Sequence, residues 1–247
     1  MKCCRYFTRL CLLMLPFWLA CGTAEETGLD IREYYFPAEE LADGLVYEYQ
    51  PIGMDSIGPS YWFYKSLPTD SALYLTGTYY EADLMVKQFF RAEIVHNGCL
   101  MQEYYLYTTD STGRQTRYDA DIQAANAFPF TVRDSGGIFL SKLEWTFNEA
   151  PRRTTTLVRN RRYIGKASYP FQGEERECVA FELKELIDDY DEGHLEQQYA
   201  GRELYAKGIG LVYYIKEVST DFVLEYQLAD IYPMRRLEKR LKKLLNE

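Results

Sequence analysis

Through most of this chain apolar and polar side chains alternate, and the apolar member of each pair is very often an aromatic ring. Phe139, Ser141, Leu143, Trp145 and Phe147 fall on one side of a run whose other side carries Lys142, Glu144 and Thr146. Phe222, Leu224, Tyr226 and Leu228 alternate with Glu225 and Gln227, and Val179, Phe181 and Leu183 with Glu182 and Lys184. A period of two belongs to a strand with one dry and one wet face, the habit of antiparallel sheet. The 23 tyrosines and 13 phenylalanines, against 3 tryptophans, suit such pleated, half-buried surfaces. The predicted class is therefore all-β and mainly antiparallel.

Turn chemistry divides the runs. Val86 to Val95 and Leu100 to Tyr107 flank His96-Asn97-Gly98-Cys99, and Asn-Gly between two such runs predicts a hairpin. Ile209 to Lys216 is apolar on both faces, which predicts a strand at the centre of the sheet, covered on both sides. Helix signals are few. Pro37 to Gly44 has a first-turn proline and a terminal glycine and reads as one or two turns, and Asp119 to Ala127 as a short helix before Phe128-Pro129. From Pro233 onward Met234, Leu237, Leu241, Leu244 and Leu245 form one helical stripe. No internal repeat and no linker rich in Pro, Gly or Ser follows residue 31, so residues 32–247, with a C-terminal helix over 233–247, read as a single domain.

Charge narrows the partners. The formal net charge of −9, without a basic stripe interleaved with aromatics, excludes a nucleic-acid role. Two histidines, His96 and His194, lie too far apart in sequence to suggest a multi-histidine metal centre. The acidic loop Ile187 to His194 fails as a calcium loop, because Tyr190 and Tyr199 fall where carboxylates are needed, and it reads as a solvated connection. No nucleophile-elbow, zinc-protease or phosphate-loop motif occurs, so the expected protein is not an enzyme and has no cofactor. Arg152-Arg153 and Arg159 to Arg162 make a local basic cluster, expected to pair with acidic neighbours rather than to bind an anion.

The C-terminal helix brings Arg235, Arg236, Lys239, Arg240, Lys242 and Lys243 together against Glu238 and Glu247. Two uses are open: docking on an anionic membrane or acidic partner, or packing of the leucine stripe on the chain's own acidic body. Cys99 and Cys178 remain once the N-terminal cysteines are set aside; they form a disulfide in an oxidising compartment or stay as buried free thiols.

The first twenty residues read as an export signal: Lys2, Arg5 and Arg9 precede an apolar run from Leu10 to Ala20, too short to span a bilayer. The junction Trp18-Leu19-Ala20-Cys21-Gly22 resembles the lipobox of bacterial lipoproteins, with Leu19 one place later than usual. That resemblance implies acylation of Cys21, attachment to a membrane through the N-terminal lipid, and an outer-membrane lipoprotein, on its periplasmic face or at the cell surface. Glu25 and Glu26 resemble the surface-export signal of lipoproteins in Bacteroidetes-like bacteria, and residues 21–31 form the tether. Cleavage after Gly22 or Ala24 instead gives a secreted protein.

Two further segments resemble marks of exported bacterial β proteins of unassigned function. Tyr35-Phe36-Pro37 followed by Gly44-Leu-Val-Tyr47-Glu-Tyr49 is similar to a "YFP…G…W.Y" pattern with Val46 in place of Trp, and Tyr205 to Val212 (YAKGIGLV) to a "W-A-x-G-V-G-L-V" strand with Tyr for Trp. The resemblance implies a single curved sheet or open half-barrel, as in periplasmic lipoprotein carriers. Gly208 and Gly210 agree physically, since alternate glycines permit a bend or close cover by another element. The expected function is that of a lipid-anchored envelope protein whose concave sheet holds an apolar ligand or its own C-terminal helix; the alternative is a docking subunit of an envelope complex.

Overall fold

The computed structural model describes residues 28–54, 56–133, 137–148 and 151–244; Cys21 and the export signal lie outside them. Among the described residues fifteen strands are formed: β1 (Leu29–Asp30), β2 (Leu45–Pro51), β3 (Ser60–Pro68), β4 (Leu73–Tyr80), β5 (Val86–Val95), β6 (Gly98–Thr109), β7 (Gln115–Asp119), β8 (Asp121–Pro129), β9 (Thr131–Val132), β10 (Ile138–Phe147), β11 (Arg153–Phe171), β12 (Glu174–Tyr190), β13 (His194–Ala206), β14 (Gly210–Ser219) and β15 (Phe222–Tyr232). The helix α1 follows at Met234–Leu244, directly after Pro233 as its sequence predicts.

The expected open half-barrel is corrected here: the sheet closes. Its pairing runs β5-β4-β3-β2-β15-β14-β13-β12-β11-β10-β8-β6 and returns from β6 to β5, making a closed barrel of twelve antiparallel strands with β7 as a flap on β6. The first barrel strand, β2, meets the last, β15, over Val46–Pro51 and Tyr226–Tyr232. Closure removes the exposed edges that an open sheet must otherwise protect. In a ring there is no central strand, so the two-sided burial of β14 has another cause, given below.

The hairpin between β5 and β6 turns at His96-Asn97, with Val95 opposite Gly98. Asp119 to Ala127 is not a helix. Most of it belongs to β8, with Ala125 opposite Ser141 and Ile122 opposite Leu143 on β10, so tertiary pairing overrides the helix propensity of its alanines. β6 divides its pairing: Gly98–Leu100 bond to β8, while Tyr105–Thr109 bond to β7. Where the two strands part, Tyr104, Leu143 and Trp145 pack into a local cluster with Phe147 and Leu157.

One end of the barrel is stoppered by residues 31–44, which precede β2. A short 3-10 turn at Arg32–Tyr34 leads Tyr35 and Phe36 inward, and Pro37 to Gly44 follows as hydrogen-bonded turns rather than a helix. Phe36 packs at a tilt on Tyr64 at 4.1 Å between ring centres and meets Tyr47 edge-on at 5.6 Å, while Tyr35 packs on Phe128 at 4.9 Å. The amide of Gly208 donates to the Glu33 carbonyl at 2.8 Å. Gly210 has φ +99°, and a Cβ there would lie 2.6 Å from the Phe36 ring. Gly210 thus gives the close cover that its sequence allowed, while Gly208, at φ +72° with open space beside it, makes the turn between β13 and β14.

α1 lies on the outer wall. Leu237 is 2% exposed and packs with Val46, Tyr61 and Tyr232. Val46, the position where the resembled pattern has Trp, is fully buried in this cluster.

Candidate functional site

Because alternate residues of each strand point inward, the lumen draws its lining from every wall, and two opposed walls differ in kind. Trp62 and Tyr64 of β3, Tyr79 of β4, Phe90 of β5 and Tyr104 of β6 make an aromatic wall. A quarter-turn or more around the ring, β11 to β14 contribute Arg159, Arg161, Glu185, Glu203 and Lys216. Between them lies a cavity of about 280 Å³, adjoined by a second of about 260 Å³ toward Tyr199, Leu224 and Tyr226. Tyr79, Arg159, Glu203 and Tyr214 line both.

Strand register explains how the charges meet. Arg159 is directly opposite Glu185 on the neighbouring strand, and Glu203 lies two strands from Arg161, opposite Phe181. Arg161 donates through Nε to Glu203 at 2.8 Å and through Nη1 to the Ala127 carbonyl at 2.8 Å; Tyr205 donates to the same carboxylate at 2.9 Å. Glu185 accepts from Arg159 at 2.7 Å and also from Lys216. Burial by itself would raise both carboxyls; the cations beside them prevail. Arg159 and Lys216 bring Glu185 down to about 2, and Arg161 holds Glu203 below the usual range. Both are carboxylates at neutral pH. The Tyr205 hydroxyl is driven the other way, by burial and by the charge of Glu203.

β14 shows how the lining is chosen. Tyr205 of β13 faces Leu211 while Leu204 faces Tyr213, a one-residue irregularity that brings both Leu211 and Tyr214 to the lumen and sends Tyr213 and Ile215 outward. The strand is apolar on both faces because its inner face lines the lumen and its outer face forms part of a surface groove with Ile52, Ile164 and Tyr169.

The residues singled out from sequence are scattered. Cys99 and Cys178 are both buried free thiols, with no disulfide between them: Tyr35 donates to the Cys99 sulfur at 3.1 Å, and the Cys178 thiol points at the Arg176 carbonyl. Burial pushes Cys99 up to about 12 and Cys178 to about 11. On α1, Arg240 bonds Glu48 at 2.5 Å and Arg236 pairs with Asp230 at 2.8 Å, both on the barrel beneath; Arg235, Lys239, Lys242 and Lys243 are exposed. The acidic loop is the tip of the β12–β13 hairpin, where His194 contacts Asp188 at 3.0 Å. Among the described residues no group of three or more His, Cys, Asp or Glu is placed to hold a metal ion.

Within the basic cluster, Arg159, Arg161 and Arg162 pair with Glu185, Glu203 and Glu182, the acidic neighbours expected for them. What sequence reading missed is that Arg159 and Arg161 are inside. A signal was present: they share the phase of Leu157 and Tyr163, the apolar phase of β11.

The fold and this lining define a class: a closed, stoppered antiparallel barrel with an amphipathic lumen. No family model and no curated protein matches the chain. Among solved structures it is similar to a candidate lipoprotein of Parabacteroides distasonis (12% identity, TM-score 0.46, covering 82% of this chain and 96% of that one). It is also similar to a candidate exported protein with a YmcC-like fold from Bacteroides fragilis (12% identity, TM-score 0.47, covering 80% and 98%).

Proposed function

We propose that this chain is a non-enzymatic envelope lipoprotein, held to a membrane by acyl groups on Cys21, whose barrel lumen binds an apolar ligand. The observation that carries the binding role is the pair of adjoining lumen cavities, one walled by Trp62, Phe90, Leu143 and Leu157 and the other by Leu183, Leu224 and Tyr226, since ligand sites are concave, mostly apolar and supplied with a few fixed polar groups. Both lumen carboxylates are paired and ionised, so neither is poised to donate a proton at neutral pH, which favours binding over acid–base chemistry. The placement rests on the lipobox-like junction; two or three acyl chains would make detachment rare, each buried methylene contributing about 0.8 kcal/mol.

Gentle extraction from membranes followed by native mass spectrometry tests both parts. The expected result is a chain beginning at an acylated Cys21 and carrying a small apolar molecule, with Cys21→Ser releasing the protein from the membrane. A chain that stays membrane-bound without acyl mass overturns the anchor, and one recovered consistently empty overturns the binding role.

A further inference from the structure

The lumen is not electrically balanced. Arg159, Arg161 and Lys216 face two carboxylates, Glu185 and Glu203. Arg161 and Glu203 satisfy one another, with the remaining Arg161 donor given to Ala127. Glu185 alone is shared by two cations, so one positive charge is in surplus at Arg159 and Lys216. Arg159 spends Nε and Nη2 on Glu185, and its Nη1 has no hydrogen-bond partner among the described residues. Both cations line the cavity toward Tyr199, with side chains 36% and 32% exposed although they lie on the inner face of a closed wall. Long cationic side chains kept solvated inside a barrel, beside phenol groups of Tyr79 and Tyr226, form a polar end to a cavity that is otherwise aromatic and aliphatic.

Resting on the reading that the lumen holds a ligand, we propose that this ligand is a single-chain amphiphile with a monoanionic carboxylate head. The head sits at Arg159 and Lys216, and the tail runs over Trp62, Phe90, Leu143 and Leu157 toward the Phe36 stopper. A surplus of one charge matches a monoanion, and planar guanidinium donors suit a carboxylate. An uncharged ligand would displace water from these cations and leave the surplus uncompensated.

Calorimetric titration of the delipidated full exported chain with dodecanoate and with 1-dodecanol at pH 8 tests this. The parent should bind dodecanoate at least tenfold more tightly than the alcohol. Arg159→Gln, which leaves Lys216 on Glu185, and Lys216→Gln, which leaves Arg159 on Glu185, should each reduce dodecanoate affinity at least tenfold without weakening the alcohol, so that the preference for the acid is lost. If Arg159→Gln fails to fold, Lys216→Gln reads the same charge. Equal affinity for acid and alcohol, or a preference that survives both substitutions, overturns the carboxylate assignment while leaving a ligand-binding lumen. Absence of binding to either probe overturns the lumen reading itself.

Discussion

Arg161 on β11 and Glu203 on β13 meet at 2.8 Å inside the barrel, each with only 9% of its side chain exposed, on strands that do not pair with each other. β12 separates them, so the bond crosses a whole strand on the inner wall. Removal of one partner leaves a buried charge without compensation, a loss of about 3–5 kcal/mol. Arg161→Met should therefore lower the urea midpoint strongly. Arg161→Met combined with Glu203→Gln, which keeps an acceptor for Tyr205, should recover most of that loss. Equal denaturation midpoints for parent and Arg161→Met would show the pair to be dispensable.

Acid should weaken the fold from the lumen outward. Glu185 is held at about 2 in the folded chain against an ordinary 4.5, and Glu203 is also lowered. A depressed carboxyl contributes stability that is complete above its unfolded value and is lost as pH falls through its folded one. Unfolding free energy should thus be flat above about pH 5 and decline from there toward pH 2. In Glu185→Gln the decline should be shallower. Urea titrations at stepped pH measure both.

The stopper should be sensitive at Gly210. A methyl group there must displace the Phe36 ring from Tyr64 and also occupy φ +99°. Gly210→Ala should cost about 1–3 kcal/mol from backbone strain alone, with the ring clash in addition. Gly53→Ala is the control, because it shares a positive φ but opens onto empty space, and it should cost less. Thermal denaturation compares them.

Both thiols should be silent in the native protein. Cys99 and Cys178 have no exposed surface and are raised to about 12 and about 11, so thiolate is scarce at pH 8. Reaction with a chromogenic disulfide reagent should be slow in buffer and yield two equivalents in denaturant for the chain lacking residues 1–21. Rapid native labelling would contradict their burial.

The C-terminal helix should hold to the barrel through Leu237. Leu237→Ala removes a 2% exposed side chain from the cluster with Val46, Tyr61 and Tyr232, at a cost of about 2 kcal/mol. Proteolysis should then cut the helix first, leaving the barrel intact.

The chain's local character was legible without coordinates. Alternation along Phe139–Phe147, the hairpin signalled by Asn97-Gly98 and the leucine stripe after Pro233 each depend on neighbours a few residues away, where steric rules and side-chain period act directly. The glycines at 208 and 210 likewise predicted a bend or close cover, though not that Phe36 would supply the close cover, which is found at Gly210.

By its own order of residues, then, this protein is committed to antiparallel strands with one terminal helix. Tertiary structure alone decided that β2 and β15 join to close the ring, that residues 31–44 stopper it, and that Arg159, Arg161, Glu185 and Glu203 face inward. The reason is physical. A period of two distinguishes two faces but does not say which is the lumen, and a lumen that carries charge looks like a wet exterior. A single irregularity such as that between β13 and β14 exchanges the faces within one strand, and its position is set by partners that are distant in the chain.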